Sequence, residues 1–337
     1  MNGDADTNRG EAHKTGSPQP QLVRPEFIQM ELNTVCNMRC EVCPLMLDGP
    51  REPLDVDPEE YFSIFQRNFA APYFLIISGF SEALLCPGLL QIIAWEKKRG
   101  NQVFLGTNGK LLNGKLLEDL LDLEVDQFVV SMDSLDREVY QGLRHGQDLD
   151  ELLERVGFVQ ERILARKSRT RLVINSVVTR STAPLLPELV ERLAEMGIGE
   201  LALIKVMRMG DLTSAYLERE YLSWDQYNDL DLNSLVRRAS ELGIHAIMSD
   251  RSVLREDGCR IPETGFYINA DFDVSPCPYA SFDRRYVFGN LRAAHIREIF
   301  GSSAYQEFRA AFQDHGHLPV CEDCACMFSG GVPILTP

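Results

Sequence analysis

Short apolar runs alternate with longer amphipathic segments along the first two-thirds of the chain. Each apolar run is rich in β-branched or aromatic residues and is bounded by polar turns, which is typical of a buried strand. Six strands are predicted, over residues 27–33, 73–78, 102–106, 127–132, 171–178 and 200–206. The segments between them repeat apolar residues at helical spacing and predict helices over 58–69, 88–99, 113–123, 149–167 and 183–197.

The regular alternation of strand and helix predicts an α/β fold, with a parallel sheet and helices packed outside it. Six βα units over about 180 residues favour an open, partial (β/α)6 barrel of the TIM type, because a closed barrel has eight units. A doubly wound sheet remains the alternative, since periodicity does not distinguish the two.

The pattern changes after a predicted helix over 224–242. A hairpin is predicted over 265–279 and a helix over 303–313, and five of the nine cysteines lie in residues 259–331. These features indicate a small C-terminal α+β domain. We therefore expect three parts: a disordered polar leader over 1–24, a barrel over 25–245 and the small domain over 246–337.

The chain has 337 residues and a formal net charge of −16. This acidity argues against binding to nucleic acid, which requires basic surface. No run approaches the roughly 18 apolar residues of a membrane-spanning helix, and the first residues lack the apolar core of a secretory signal. We expect a cytoplasmic protein without membrane contact. In a reducing cytosol, clustered cysteines are more typical of metal or catalytic sites than of disulfides.

Three of the cysteines, Cys36, Cys40 and Cys43, directly follow the first predicted strand. In a βα barrel, the loops at the carboxyl ends of the strands build the active site. Three thiolates can hold three irons of a 4Fe–4S cluster and leave the fourth iron open for another ligand. The alternatives are buried thiols that act as small hydrophobic residues, or a zinc site completed elsewhere in the chain.

The C-x3-C-x2-C spacing after the first strand of a βα series resembles the radical S-adenosylmethionine (SAM) superfamily, and the resemblance extends over about residues 25–331. It implies that SAM chelates the open iron. It also implies that a reduced cluster cleaves SAM to a 5′-deoxyadenosyl radical, which abstracts hydrogen from an unactivated C–H bond. The cofactor would carry this chemistry, and the protein would bind, orient and shield it.

Further stretches carry the same resemblance. SGFSEALL (78–85) resembles the Gly-Gly-Glu-Pro segment of the family, although Phe80, Ser81 and Ala83 depart from it. GTNGKLL (106–112) resembles a Thr-Asn-Gly segment, and VVSMDSLDREVYQGLRHG (129–146) resembles a Ser-x-Asp-Gly segment in which Ser134 replaces the glycine. The SAM contacts implied by the resemblance are Val42, Gly79, Glu82, Ser131, Asp133, Arg144 and Asn175.

A second cysteine set comprises Cys259, Cys277, Cys321 and Cys324. Four cysteines can close a 4Fe–4S cluster or a zinc site, and spacing alone does not decide between them. The surrounding sequence resembles the SPASM and twitch auxiliary domains of radical SAM enzymes. Because a full SPASM domain has about seven cysteines, the five found here imply the shorter twitch type, with one auxiliary 4Fe–4S cluster that transfers electrons.

Two cysteines remain, Cys86 and Cys326. Each is interpreted as a buried thiol or, alternatively, as a hydrogen-atom donor that would make the enzyme an epimerase. Arg208, after the sixth strand, is a possible substrate contact or an ordinary surface arginine.

The resemblance implies an oxidoreductase of natural product biosynthesis that dehydrogenates a sugar- or aminocyclitol-like small molecule and receives electrons from a flavodoxin or ferredoxin. A variant of this interpretation is that the enzyme catalyses epimerisation. The alternatives are a peptide maturase that forms cross-links or epimers and, from a different class, a non-catalytic zinc or iron–sulfur protein.

Overall fold

A computed structural model describes residues 22–49, 51–208, 212–250, 261–315 and 321–325. Its strands are β1 Phe27–Met30, β2 Arg39–Cys40, β3 Phe74–Ile77, β4 Gln102–Thr107, β5 Gln127–Ser131, β6 Arg144–His145, β7 Arg171–Val178, β8 Glu200–Lys205, β9 His245–Met248, β10 Gly265–Ile268, β11 Asp273–Ser275 and β12 Gly289–Asn290.

The α-helices in the described residues are α1 Pro44–Asp48, α2 Pro58–Asn68, α3 Leu89–Lys98, α4 Gly114–Asp122, α5 Arg137–Leu143, α6 Leu149–Arg166, α7 Leu186–Glu195, α8 Ala215–Glu220, α9 Trp224–Asn228, α10 Leu232–Glu241, α11 Ile261–Thr264, α12 Ile296–Gly301 and α13 Ser303–His315. Short 3₁₀ helices lie at Ala83–Leu85, Ala183–Leu185, Ala280–Phe282 and Arg284–Tyr286.

Ten strands form one sheet in the order β12-β11-β10-β1-β3-β4-β5-β7-β8-β9, and β2 pairs separately with β6. Every neighbouring pair from β10 to β9 is parallel. Strands β11 and β12 continue the edge in antiparallel pairing. The six predicted strands are confirmed as β1, β3, β4, β5, β7 and β8, and the parallel α/β architecture is the expected one.

The two faces of the sheet differ in what they contact. One face packs against the helices in the main hydrophobic core, which includes Ile28, Leu75 and Leu105. The opposite face, here called the inner face, carries two smaller apolar clusters, one around Phe27 and Phe104 and one around Val173 and Ala202. Because side chains alternate along a strand, each strand serves both faces.

Helix α6 shows how the sequence sets these elements. Asp148 caps its start by accepting the backbone N–H groups of Asp150 and Glu151, and Lys167 ends it in a left-handed conformation at φ 50°. Its buried residues recur every three or four positions, so one face packs on the sheet. They are Leu149, Leu152, Val156, Val159 and Ile163.

The structure departs from the sequence-based expectation in several places. The helix predicted over 224–242 is two helices, α9 and α10, because Asp231 caps the second one through the N–H of Ser234. Strand β9 and the β2–β6 pair were not predicted. Residues 22–24, assigned to a disordered leader, are ordered, since Val23 exchanges backbone hydrogen bonds with Asn68 and Ala70. Residues 1–21 of that leader lie outside the described residues.

The C-terminal hairpin is confirmed as β10 and β11. It extends the barrel sheet directly, because β10 pairs in parallel with β1 through Phe27 opposite Gly265 and Met30 opposite Ile268. The small domain is therefore joined to the first barrel strand by backbone hydrogen bonds.

Replacing Leu152 with Ala tests the packing of α6. Leu152 is fully buried, and its truncation should lower the free energy of unfolding by about 2–5 kcal/mol, because the lost apolar contacts leave a cavity. Urea denaturation of the cluster-free protein measures the change. Leu164→Ala is the matched control, since Leu164 lies on the same helix but is 63% exposed. Equal effects of the two substitutions would contradict the assigned helix face.

Candidate active site

The three-cysteine loop is anchored to the barrel by a two-stranded ladder. Cys40 lies in β2 opposite Arg144 of β6, and the N–H of Glu41 donates to the carbonyl of Leu143 at 3.0 Å. The N–H of Cys43 then donates to the carbonyl of Cys40 at 3.0 Å, which closes a tight turn. This turn brings the cysteines together at the carboxyl ends of the strands.

Burial raises the pKa of all three thiols above its ordinary value, and raises that of Cys43 to about 12. Two hydrogen-bond donors oppose this effect by facing the sulfur atoms: Asn108 Nδ2 lies 3.8 Å from Cys36 Sγ, and Arg144 Nη1 lies 3.9 Å from Cys40 Sγ. Iron binds the thiolate form. Three neighbouring thiols with donors aimed at their sulfurs fit the ligand set of an iron–sulfur cluster.

A buried ion pair holds β6 to the sheet. The guanidinium of Arg144 contacts both carboxylate oxygens of Asp133, with Nη2 3.1 Å from Oδ1. Asp133 is fully buried and also accepts the N–H of Val177 at 2.7 Å. The resemblance assigned Asp133 and Arg144 to SAM. The structure brings them together, with the third guanidinium nitrogen directed at Cys40.

Glu82 organises the loop after β3. Its carboxylate accepts the hydroxyl of Thr107 at 2.8 Å and the backbone N–H of Asn108 at 2.8 Å, and the side chain is 1% exposed. Burial raises its pKa, and these hydrogen bonds partly offset the rise. Glu82 therefore holds Thr107 and the backbone of Asn108 in place, and the side chain of Asn108 contacts the sulfur of Cys36. Its direct contact with SAM stays a prediction.

Ser131, the last residue of β5, lies beside Asn175 in the middle of β7. Among the described residues, Asn175 Oδ1 is buried without a hydrogen-bond partner. Such an atom is costly to leave unpaired, so a polar ligand at this position would satisfy it. The orphaned acceptor fits SAM, as the resemblance implies. Val42 is partly buried beside Cys43.

Packing explains why residue 79 is a glycine, and the sequence did not reveal this. A side chain there would collide with Glu31, which is 1% exposed. The Glu31 carboxylate accepts the N–H of Phe80 and lies 3.4 Å from Arg51 Nη1. The sequence analysis missed Glu31, although a carboxylate inside the apolar strand predicted over 27–33 was an available signal. It holds the predicted SAM-binding stretch in place.

Part of the second cysteine set also converges. Cys277 and Cys324, far apart in sequence, pack against the apolar cluster of Phe27 and Phe104 on the inner face. The N–H of Ala280 donates to Cys277 Sγ at 3.4 Å, and the N–H of Cys324 donates to the carbonyl of Cys321 at 3.0 Å. Cys259, the remaining predicted ligand, lies outside the described residues.

Two cysteines were predicted as buried thiols or hydrogen-atom donors. Cys86 is 4% exposed and packs in the main hydrophobic core. This burial agrees with the buried-thiol alternative, and the donor role of Cys86 stays a prediction. Cys326 lies outside the described residues.

Arg208 stacks on Tyr221 at 4.0 Å and pairs with Glu218. Its role in substrate binding stays a prediction. Within the described ranges, no three cysteine, histidine or carboxylate side chains converge where a single metal ion could sit, and no helix there is long and apolar enough to cross a membrane.

Comparison with known proteins agrees with this geometry. The family model of the radical SAM superfamily matches residues 30–163, and that of SPASM, an iron-sulfur cluster-binding domain, matches residues 259–325. This chain is a radical SAM protein with a SPASM domain. The radical SAM domain binds a 4Fe–4S cluster and SAM, and the SPASM domain binds auxiliary iron–sulfur clusters.

Two relatives are similar to this radical SAM protein over most of its length. The tungsten-containing aldehyde ferredoxin oxidoreductase cofactor-modifying protein of Pyrococcus furiosus is 24% identical over 89% of this chain and 87% of its own. The AdoMet-dependent heme synthase of Methanosarcina barkeri is 24% identical over 88% of each chain.

Two solved structures share the fold. Streptococcus suis SuiB bound to its precursor peptide SuiA has a TM-score of 0.68 and 15% identity, over 85% of this chain and 67% of SuiB. BtrN in complex with AdoMet and 2-DOIA has a TM-score of 0.53 and 17% identity, over 91% of this chain and 95% of BtrN.

Replacing Arg144 with Met should destabilise the cluster-free protein by about 3–5 kcal/mol, because it leaves the carboxylate of Asp133 buried without its cation. Thermal and urea denaturation measure the loss. Arg137→Met is the control: its ion pair with Asp150 is about half exposed on both sides, so little change is expected. Equal stability of the Arg144 variant and the unmodified protein would show that the pair does not anchor the loop.

Proposed function

We propose that this protein is an oxidoreductase that removes a hydrogen atom from an unactivated C–H bond of a small molecule and passes the second electron of the oxidation to an auxiliary cluster. Cys36, Cys40 and Cys43 would hold the SAM-binding cluster. The auxiliary 4Fe–4S cluster would be held by Cys259, Cys277, Cys321 and Cys324. When bound, a reduced cluster and SAM supply a 5′-deoxyadenosyl radical.

One observation carries this proposal: both cysteine sets adjoin strand β4. Cys277 and Cys324 pack against the apolar cluster of Phe27 and Phe104, and Asn108, the residue after β4, contacts Cys36. Phe104 and Asn108 are four positions apart, which at about 3.3 Å per residue is roughly 13 Å of extended chain. A separation of this order between the clusters would leave room for a small substrate and would be short enough for an electron to cross.

The chain's own residues have separate tasks in this reaction. Arg144 and Asp133 hold the cysteine loop, and Glu82 and Glu31 hold the backbone beside it. Asn175 offers its unpartnered carbonyl oxygen to SAM. The substrate would lose one hydrogen atom to the 5′-deoxyadenosyl radical, then one electron to the auxiliary cluster and one proton to solvent, which together make a two-electron oxidation. A flavodoxin or ferredoxin would supply the electron that starts each cycle.

The substrate class rests on coverage. This chain spans 95% of BtrN, which was solved with the small molecule 2-DOIA, against 90% of anSMEcpe and 67% of SuiB, which were each solved with a peptide. The TM-scores are higher for SuiB and anSMEcpe, at 0.68, than for BtrN, at 0.53, and at 15–17% identity all three report the fold alone. We favour a small molecule because BtrN is matched over the largest share of the three, and peptide maturation is the competing outcome of the test below.

Anaerobic reconstitution with iron and sulfide tests the two clusters. The unmodified protein should bind about eight irons per chain and form 5′-deoxyadenosine from SAM under reduction. The triple variant Cys36→Ala, Cys40→Ala, Cys43→Ala should retain about four irons and form none, since only the auxiliary ligands remain. Cys86→Ala is the control and should keep both clusters. An unmodified protein that binds zinc and does not cleave SAM would refute the proposal.

The substrate class is tested by isotope transfer. An extract of deuterium-grown source cells is separated into metabolite and peptide fractions, and each is added to the reduced enzyme with unlabelled SAM. Deuterium should appear in 5′-deoxyadenosine with the metabolite fraction only, because the abstracted atom comes from the substrate. Deuterium transfer from the peptide fraction alone would identify a peptide maturase.

A further inference from the structure

Lys205, the last residue of β8, is a fully buried cation. Its ammonium lies 2.7 Å from Asp323 Oδ1 and donates to the carbonyl of Val206 at 3.0 Å. The rings of Tyr221 and Trp224 stand 4.5 Å and 5.2 Å from its nitrogen, within the range of cation–π attraction. The site described above makes no use of this group.

Its partner, Asp323, lies between Cys321 and Cys324. Besides Lys205, it accepts the hydroxyl of Tyr221 at 2.7 Å on Oδ1 and the backbone N–H of Arg208 at 2.7 Å on Oδ2. All three donors belong to β8 or to the segment that follows it. Within the described residues, Asp323 of the C-x2-C segment is thus held from the barrel side.

Further contacts seat the same segment on the ends of β8 and β9. Ser249 Oγ donates to the carbonyl of Ala325 at 2.9 Å and accepts the N–H of Lys205 at 3.1 Å. The N–H of Ala325 lies 2.8 Å from the sulfur of Met207. Residues 321–325 therefore form one continuous contact with residues 76 and 118 positions earlier in the chain.

An ion pair between a fully buried lysine and a carboxylate that is 19% exposed is a poor choice if it only fastens one segment to another. Desolvation of both charges opposes the attraction, and apolar residues of similar size often stabilise a protein as well or better. The pair is better suited to two other tasks: it fixes one geometry, and it sets the local charge.

We propose that Lys205 is a positioning residue for the auxiliary cluster, which it serves by locking Asp323, and with it Cys321 and Cys324, against the last barrel strands. The pair also keeps the charge beside these cysteines balanced. This inference rests on the proposed function for the identity of the cluster that the cysteines hold.

The balance of charge predicts shifts of opposite sign. Lys205→Met leaves the Asp323 carboxylate alone, which disfavours the added negative charge of a reduced cluster and should lower its midpoint potential. Asp323→Asn removes the negative charge beside the Lys205 ammonium and should raise that potential. The double variant should return close to the unmodified value. A purely structural loosening would move both single variants in the same direction.

Hydrogen–deuterium exchange of the cluster-free protein tests whether the Lys205–Asp323 pair, here called the lock, holds residues 321–325 in place without the cluster. In Lys205→Met and in Asp323→Asn, amides 321–325 should exchange at least about tenfold faster, because the segment opens more often. Arg208→Gln is the matched control. Its side chain is partly exposed and paired with Glu218, while its backbone N–H still reaches Asp323, so exchange should not change.

Potentials of the auxiliary cluster are then measured by redox titration followed by electron paramagnetic resonance. Faster exchange in both variants, with potentials shifted in opposite directions, supports the proposal. Unchanged exchange, or potentials that shift together or not at all, overturns it. If the unmodified protein formed no auxiliary cluster, the proposed function would fail, whereas faster exchange would still establish the lock in the cluster-free chain.

Discussion

The buried pair of Asp133 and Arg144 is the contact on which the rest of the site depends. Asp133 follows β5 and is bound to the backbone of β7, while Arg144 belongs to the short strand that pairs with Cys40. One ion pair therefore couples two sheet strands to the cysteine loop. Since breaking a buried pair leaves an uncompensated charge, the loop is held in one position before any cofactor binds.

Buried carboxylates recur around this site for the same physical reason. Glu82 and Glu31 are each 1% exposed, and both accept backbone N–H groups of neighbouring loops. Carboxylates can accept several hydrogen bonds at once, which lets a single side chain fix several loop amides. Lys205 and Asp323 extend this arrangement to the second cysteine set. The protein thus uses buried charge to orient irregular backbone at the end of a parallel sheet.

The features that the sequence predicted correctly are those that local patterns along the chain determine. The six strands are continuous apolar runs, and the spacing of Cys36, Cys40 and Cys43 identified the family. Local patterns did not show which polar groups meet across the fold. Asp133 and Arg144 were assigned to SAM from the family resemblance, and no local pattern marks them as partners of each other. Lys205 and Asp323 are 118 positions apart, and a lysine at the end of a strand is usually solvated. Strand β9 was missed because it is an edge strand with a single buried residue, Ala246, so it lacks the apolar run of a buried strand.

The central claim is that one cluster is open to SAM and the other is closed by protein ligands. Electron paramagnetic resonance of the reduced, fully reconstituted protein, recorded with and without SAM, tests it directly. SAM should change the signal of the cluster on Cys36, Cys40 and Cys43 and leave the auxiliary signal as it was. A signal from the three-cysteine cluster that does not respond to SAM, or an auxiliary signal that does, would contradict the account.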